Sequence, residues 1–196
     1  MAAEHARRVA ATAAAAAGAD TRQSTDSAPA TFRYGAPMRN VVFEGSARAL
    51  LVAHAIFGFA GVFSATHHAV ASFLAARGRP VGAQLRRFGW LAPAALVAQA
   101  LFGLALYPAF RVRVRFADLE ERAPLVSELF ELKEHFAALG LALVIAACLA
   151  GRALPPRPAA SGARSVAALS TCGAALVWAA AVIGLYVTAR HPVGIP

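Results

Sequence analysis

The chain has 196 residues, 59% of them hydrophobic and only 15% charged, with a formal net charge of +9. That length suits one domain, or one domain with a tail, and the composition is too apolar for an ordinary soluble domain. The basic charge alone would suggest nucleic acid. However, the arginines flank apolar blocks and form no soluble basic module, which excludes that partner in favour of a lipid bilayer.

The apolar residues fall in four uncharged stretches, 49–76, 88–110, 135–151 and 165–189. Stretches this long without period-two alternation are expected to cross a bilayer as helices and not as barrel strands. The third would rise only about 25 Å, so its helix must draw on the charged turn before it.

Residues 1–40 are Ala-rich and then polar. They are expected to be a disordered tail or the product of a mis-assigned start, with translation beginning at Met38. Arg7-Arg8, the alanine run and Ala17-Gly18-Ala19 make only a poor signal-peptide pattern. The remainder, 41–196, reads as one transmembrane domain with helices over about 45–76, 84–108, 124–151 and 164–189.

The first helix stops at Arg77-Gly78-Arg79-Pro80, a Gly/Pro signal with interfacial arginines. The second carries Trp90 at an interface and ends near Tyr107-Pro108. Arg111-Val112-Arg113-Val114-Arg115-Phe116 alternates with period two, so its arginines share one side if the segment is extended. Pro124 suits the first turn of the third helix, followed by Glu128, Glu131 and Glu134, which the helix dipole favours there. The Pro/Ala-rich segment from Arg152 to Arg164 is expected to be irregular. The fourth helix contains Trp178 and leaves through Tyr186, Arg190 and Pro192. No internal repeat is evident. The fold class is therefore all-α, a four-transmembrane-helix bundle with a disordered N-terminal tail.

Two faces follow from this order. One carries the loops 77–87 and 152–164, with Arg77, Arg79, Arg86, Arg87, Arg152, Arg157 and Arg164 and no acidic residue. Short, purely basic loops mark the cytoplasmic side. All ten acidic residues fall on the other side, with the 111–134 connection. Cys148 and Cys172 lie inside helices at apolar positions and suggest small core residues, not a disulfide or zinc framework.

Five residues of the first helix, His54, Gly58, Gly61, Ala65 and His68, recur at 4-3-4-3 spacing and so share one face. Such a face is either a packing seam or a groove for flat cofactors between two imidazoles. His54 and His68 are fourteen residues apart, about 40° short of whole turns and about 21 Å along the axis. This spacing resembles the cytochrome b subunits of quinone-oxidising membrane complexes, in which histidines fourteen apart hold two b-type haems stacked across the bilayer.

The resemblance implies that Gly58 and Gly61 admit a porphyrin and that His54 and His135 are axial ligands of one haem iron. His68 would serve a second haem, with His67, Cys148, a symmetry mate or another subunit completing it. Arg111 and Arg113 would contact propionates or a quinone headgroup. The sequence departs from that family in lacking a matching histidine pair on a second helix.

Glu128, Glu131, Glu134 and His135, with His54, form a second constellation that could hold a transition metal. The Glu-x-x-His pattern of di-iron bundles is absent, because position 132 is leucine. These acids are better suited to pair with Arg111, Arg113, Arg115 and Lys133. Gln99, midway along the second helix, is expected to bond another helix.

Tyr107–Arg111 and Phe130–Glu134 resemble uncharacterised bacterial four-helix membrane proteins, which implies architecture and a bacterial plasma membrane but no activity. No Walker loop, dinucleotide fingerprint, nucleophile elbow or zincin helix occurs, so an autonomous enzyme is not expected. The leading expectation is a b-type haem-binding or quinone-interacting subunit of an electron-transfer complex. The alternatives are a membrane scaffold or assembly protein and a small oligomeric transporter. Each implies a homo-oligomer or a complex subunit.

Overall fold

The computed structural model describes residues 43–112, 114–115, 123–154 and 160–190, all within one helical unit, Asn40–Pro196. The expected N-terminal tail lies outside the described residues. Four helices follow a short 3-10 turn at Glu44–Ser46: α1 (Ala47–Ala76), α2 (Gly82–Phe110), α3 (Pro124–Ala153) and α4 (Ala160–Arg190). Each has 29 to 31 residues and rises about 45 Å, enough to cross the hydrocarbon core and both interfaces. Among the described residues there is no strand. The protein is a multi-pass integral membrane protein built as an all-α four-helix bundle.

Local chemistry sets most of the ends. Gly78 adopts φ 78°, and its N–H bonds Ala75 O at 2.9 Å while Arg79 N–H bonds Leu74 O at 3.0 Å. This paired closure needs a left-handed residue just past the helix, a conformation that costs glycine little. Pro80 follows and cannot continue the helix. Pro124 opens α3 at its first turn, where a missing N–H costs nothing.

Two expectations about ends are corrected. α4 begins at Ala160, so residues 160–164 are helical rather than irregular. Residues 111–112 and 114–115 also continue α2 in widened π-type turns instead of running extended. The winding persists because it tucks Val114, only 3% exposed, beside Phe110 in a cluster with Phe130 and Val187. The Phe110 and Phe130 rings stack with centroids 4.4 Å apart.

Neighbours in the ring are α1–α2, α3–α4, α1–α4 and, over a smaller area, α2–α3; α1 and α3 stand on a diagonal. Short links at 77–81 and 154–159 make the sequential neighbours antiparallel. The central core takes mostly small and β-branched residues, with one leucine, from the four helices: Val62, Ala65 and Ala69; Ala92 and Leu96; Val144 and Cys148; Ala174 and Val177. Large side chains such as Phe59, Leu104, Leu139 and Leu185 point outward. That inversion is what lipid permits, because tails solvate leucine as well as a core does and helix contact depends on close approach.

Candidate functional site

The stripe predicted on α1 does face inward, and two polar centres lie along it. His54 is held by one residue of α2. Its Nδ1 is 2.9 Å from the Gln99 main-chain oxygen, and since a carbonyl only accepts, Nδ1–H donates. Nε2 then accepts from the Gln99 side-chain amide at 3.2 Å. Gly103, one turn on, makes room for the ring: a Cβ there would come 2.9 Å from His54 Cε1 and 3.0 Å from Nδ1. The expected interhelical role of Gln99 is thus met by His54.

The second centre draws on all four helices. His68, 3% exposed, sits with Ser72 on α1, Gly89 on α2, Cys148 on α3 and Ser170 on α4. Ser170 Oγ lies 2.8 Å from the Val166 carbonyl and must donate its one proton there. Its lone pairs then accept from His68 Nδ1–H and Ser72 O–H, each at 3.1 Å. His68 Nε2 faces Cys148 Sγ at 3.8 Å, a weak thiol donor, and a Cβ on Gly89 would lie 3.5 Å from it. Gly89 is also four residues before Pro93, which lies inside α2. Proline has no N–H to return to the Gly89 carbonyl, so α2 is loosened beside His68.

Between the two centres the stripe is filled. A Cβ on Gly61 would fall 2.6 Å from Leu96 Cδ2, and one on Gly58 would fall 3.6 Å from Gln99 Cγ. Ser64, wholly buried on the adjoining line of the helix, has an Oγ without a hydrogen-bond partner. Trp178 Nε1–H donates to Thr66 Oγ1 at 3.0 Å and ties α4 to α1.

The remaining predicted residues lie elsewhere. His135 is exposed on α3, its Nδ1 bonded to the Glu131 main-chain oxygen at 2.8 Å and not to the carboxylate. That carboxylate pairs with Arg115, which also reaches Tyr107 Oη at 3.4 Å. The residue of α3 within electrostatic reach of His54 is Lys133. His135 is two positions further along the helix, and about 200° of rotation turns it away. Lys133 runs past Gly184 and sets its ammonium 4.4 Å from the Phe130 ring centroid. His67 is exposed, its ring between Phe63 and Phe88 with centroids 4.0 and 4.9 Å away. Arg111 is exposed where α2 ends, and Arg113 lies outside the described residues.

A porphyrin therefore does not fit between His54 and His135 in this packing. The helices are diagonal, Gln99 occupies the His54 lone pair, and Leu96 and Gln99 fill the glycine groove. Among the described residues, no three His, Cys, Asp or Glu side chains converge as a metal site would require.

Comparison of the chain with protein-family models, curated proteins and solved structures returned no match. Sequence reasoning named His68 and Cys148 but missed Ser72 and Ser170 as partners. The signal available was the spacing: Ser72 is one turn beyond His68 on the same face, though nothing in a linear chain brings residue 170 to it.

Proposed function

We propose that the protein is a non-catalytic membrane scaffold, a rigid helical unit presenting an apolar exterior and a basic rim to partner proteins in a bacterial plasma membrane. The observation that carries this reading is the occupation of the inward histidines. Gln99 takes both ring nitrogens of His54, while Ser170 and Cys148 face those of His68. Imidazoles engaged in this way tie helices together, since each polar contact in lipid fixes register as well as adding energy. In this role the protein acts as a homo-oligomer or as a subunit of a larger complex.

A second reading, a haem-binding or quinone-interacting subunit, is favoured by one feature. The His135 Nδ1–H bond to a carbonyl leaves Nε2 facing outward, the arrangement in which an imidazole offers itself to a metal. The other axial ligand would then come from a partner subunit. A reduced-minus-oxidised absorption spectrum of the detergent-purified protein, made with ample haem, separates the two. The scaffold reading expects a flat spectrum from folded, helical protein. A b-type α band that vanishes in His135→Ala would overturn it.

A further inference from the structure

At the basic end of the bundle, α1 and α4 leave a cleft of about 460 Å³ between them, within the size range of small-molecule sites. Arg77 and Arg164 stand at its mouth, and its walls are Phe73, Ala167, Ala168 and Thr171. Arg77 is the residue that ends α1, and Arg164 lies in the first turns of α4, so both guanidiniums sit at the level of the membrane interface. The cleft runs from them towards the bilayer centre along small and apolar side chains. The Arg77 guanidinium stacks over the Phe73 ring, 4.4 Å from its centroid, which holds the charge against the cleft wall.

We propose that this cleft binds one anionic phospholipid, with the phosphate between Arg77 and Arg164 and an acyl chain along Phe73, Ala167, Ala168 and Thr171. Three features select that occupant. The two arginines provide the planar, forked donors that suit a phosphate. The apolar walls lie below them at depths where the only abundant molecule carrying both a phosphate and a chain is lipid. Finally, the loops 77–87 and 152–164 at this end contain no acidic residue, so the field around the two arginines is positive. A zwitterionic headgroup would bring a cation into that field and is disfavoured.

The test is native mass spectrometry of the full chain, delipidated in detergent and titrated with phosphatidylglycerol or phosphatidylcholine. One phosphatidylglycerol should be retained at least tenfold more tightly than phosphatidylcholine, and millimolar inorganic phosphate should not displace it. The double variant Arg77→Gln/Arg164→Gln should abolish that preference. Ala168→Trp, at an exposed position, fills the cleft without altering charge and should also abolish it. Arg86→Gln/Arg87→Gln removes the same charge from the same end outside the cleft and should leave retention unchanged. Equal losses in the two double-arginine variants, or full retention in Ala168→Trp, would overturn the site in favour of general surface attraction. Displacement by phosphate alone would overturn the lipid as occupant.

Discussion

Ser64 and Ser170 are both buried serines, on α1 and α4, yet they should respond oppositely to loss of the hydroxyl. Ser170 accepts from His68 and Ser72 and donates to Val166, so Ser170→Ala unties α1 from α4 and strands two donors. Measured interhelical hydrogen bonds in membranes average about 0.6 kcal/mol and reach about 1.7; a loss near the upper figure is expected for a hub with two partners on a neighbouring helix. Ser64 Oγ has no partner, so Ser64→Ala should leave stability unchanged or raise it slightly. Thermal unfolding in one detergent, followed by circular dichroism, reads both; a larger loss for Ser64→Ala than for Ser170→Ala would refute the hydrogen-bond assignment.

The glycines along the α1–α2 contact, Gly58 on α1 and Gly103 on α2, sort in the same manner. Gly58→Ala meets only ordinary contact at 3.6 Å and should be neutral or gain up to about 1 kcal/mol of helix propensity. Gly103→Ala drives a methyl group into the His54 ring at 2.9 Å and should cost about 1–3 kcal/mol. The sequence made the inward stripe legible, because spacing alone decides which residues share a helical face. It could not show whether the groove was open, since the groove's occupants, Leu96 and Gln99, belong to another helix.

At the scale of the helix pair, α3 and α4 meet through a reciprocal arrangement that no single-helix pattern announced. A Cβ on Gly140 would lie 3.0 Å from Val177 Cγ2 and 3.2 Å from the Val177 nitrogen. A Cβ on Gly173 would lie 3.0 Å from Val144 Cγ2 and 3.1 Å from the Val144 nitrogen. Each glycine is thus the socket for the valine four residues beyond the other glycine, in two antiparallel copies of the same spacing. The obstructing atoms include main chain, which cannot turn aside as a side-chain tip can. Gly140→Ala and Gly173→Ala should each destabilise the bundle by about 1–3 kcal/mol. Once the first substitution has pushed the helices apart, the second meets less resistance, so the double variant should lose less than the sum of the two. A double-mutant cycle on unfolding free energies measures this directly, and strict additivity would mean that the two sockets are independent.

Helix number and class were legible here because the length and continuity of an apolar run are properties of the chain itself. The winding of 111–112 and 114–115 was not, because the burial of Val114 against Phe130 and Val187 overrides the local alternation.

Across the whole molecule, the antiparallel order gathers Arg77, Arg79, Arg86, Arg87, Arg152 and Arg164 at one end. Several of them are fastened to rings: Arg152 lies 3.3 Å from the Trp90 ring centroid, joining α3 to α2, and Arg87 lies 5.9 Å from that of Phe88. Guanidiniums stacked on aromatic faces at the ends of apolar helices form an interfacial belt, with stems in the hydrocarbon and charges among headgroups. The opposite end mixes signs, with Arg115 paired to Glu131 and with Glu128 and Glu134 nearby in the first turns of α3. Positive residues resist translocation far more than acidic ones promote it, so the arginine belt should remain in the cytoplasm. Cysteine scanning checks this in intact spheroplasts on a background in which Cys148 and Cys172 are replaced by alanine. A cysteine at Pro80, in the α1–α2 turn, should resist a membrane-impermeant maleimide until the cells are opened, whereas one at Pro124, where α3 begins, should react from outside. The reverse pattern would invert the orientation and would move the proposed phospholipid cleft to the outer leaflet.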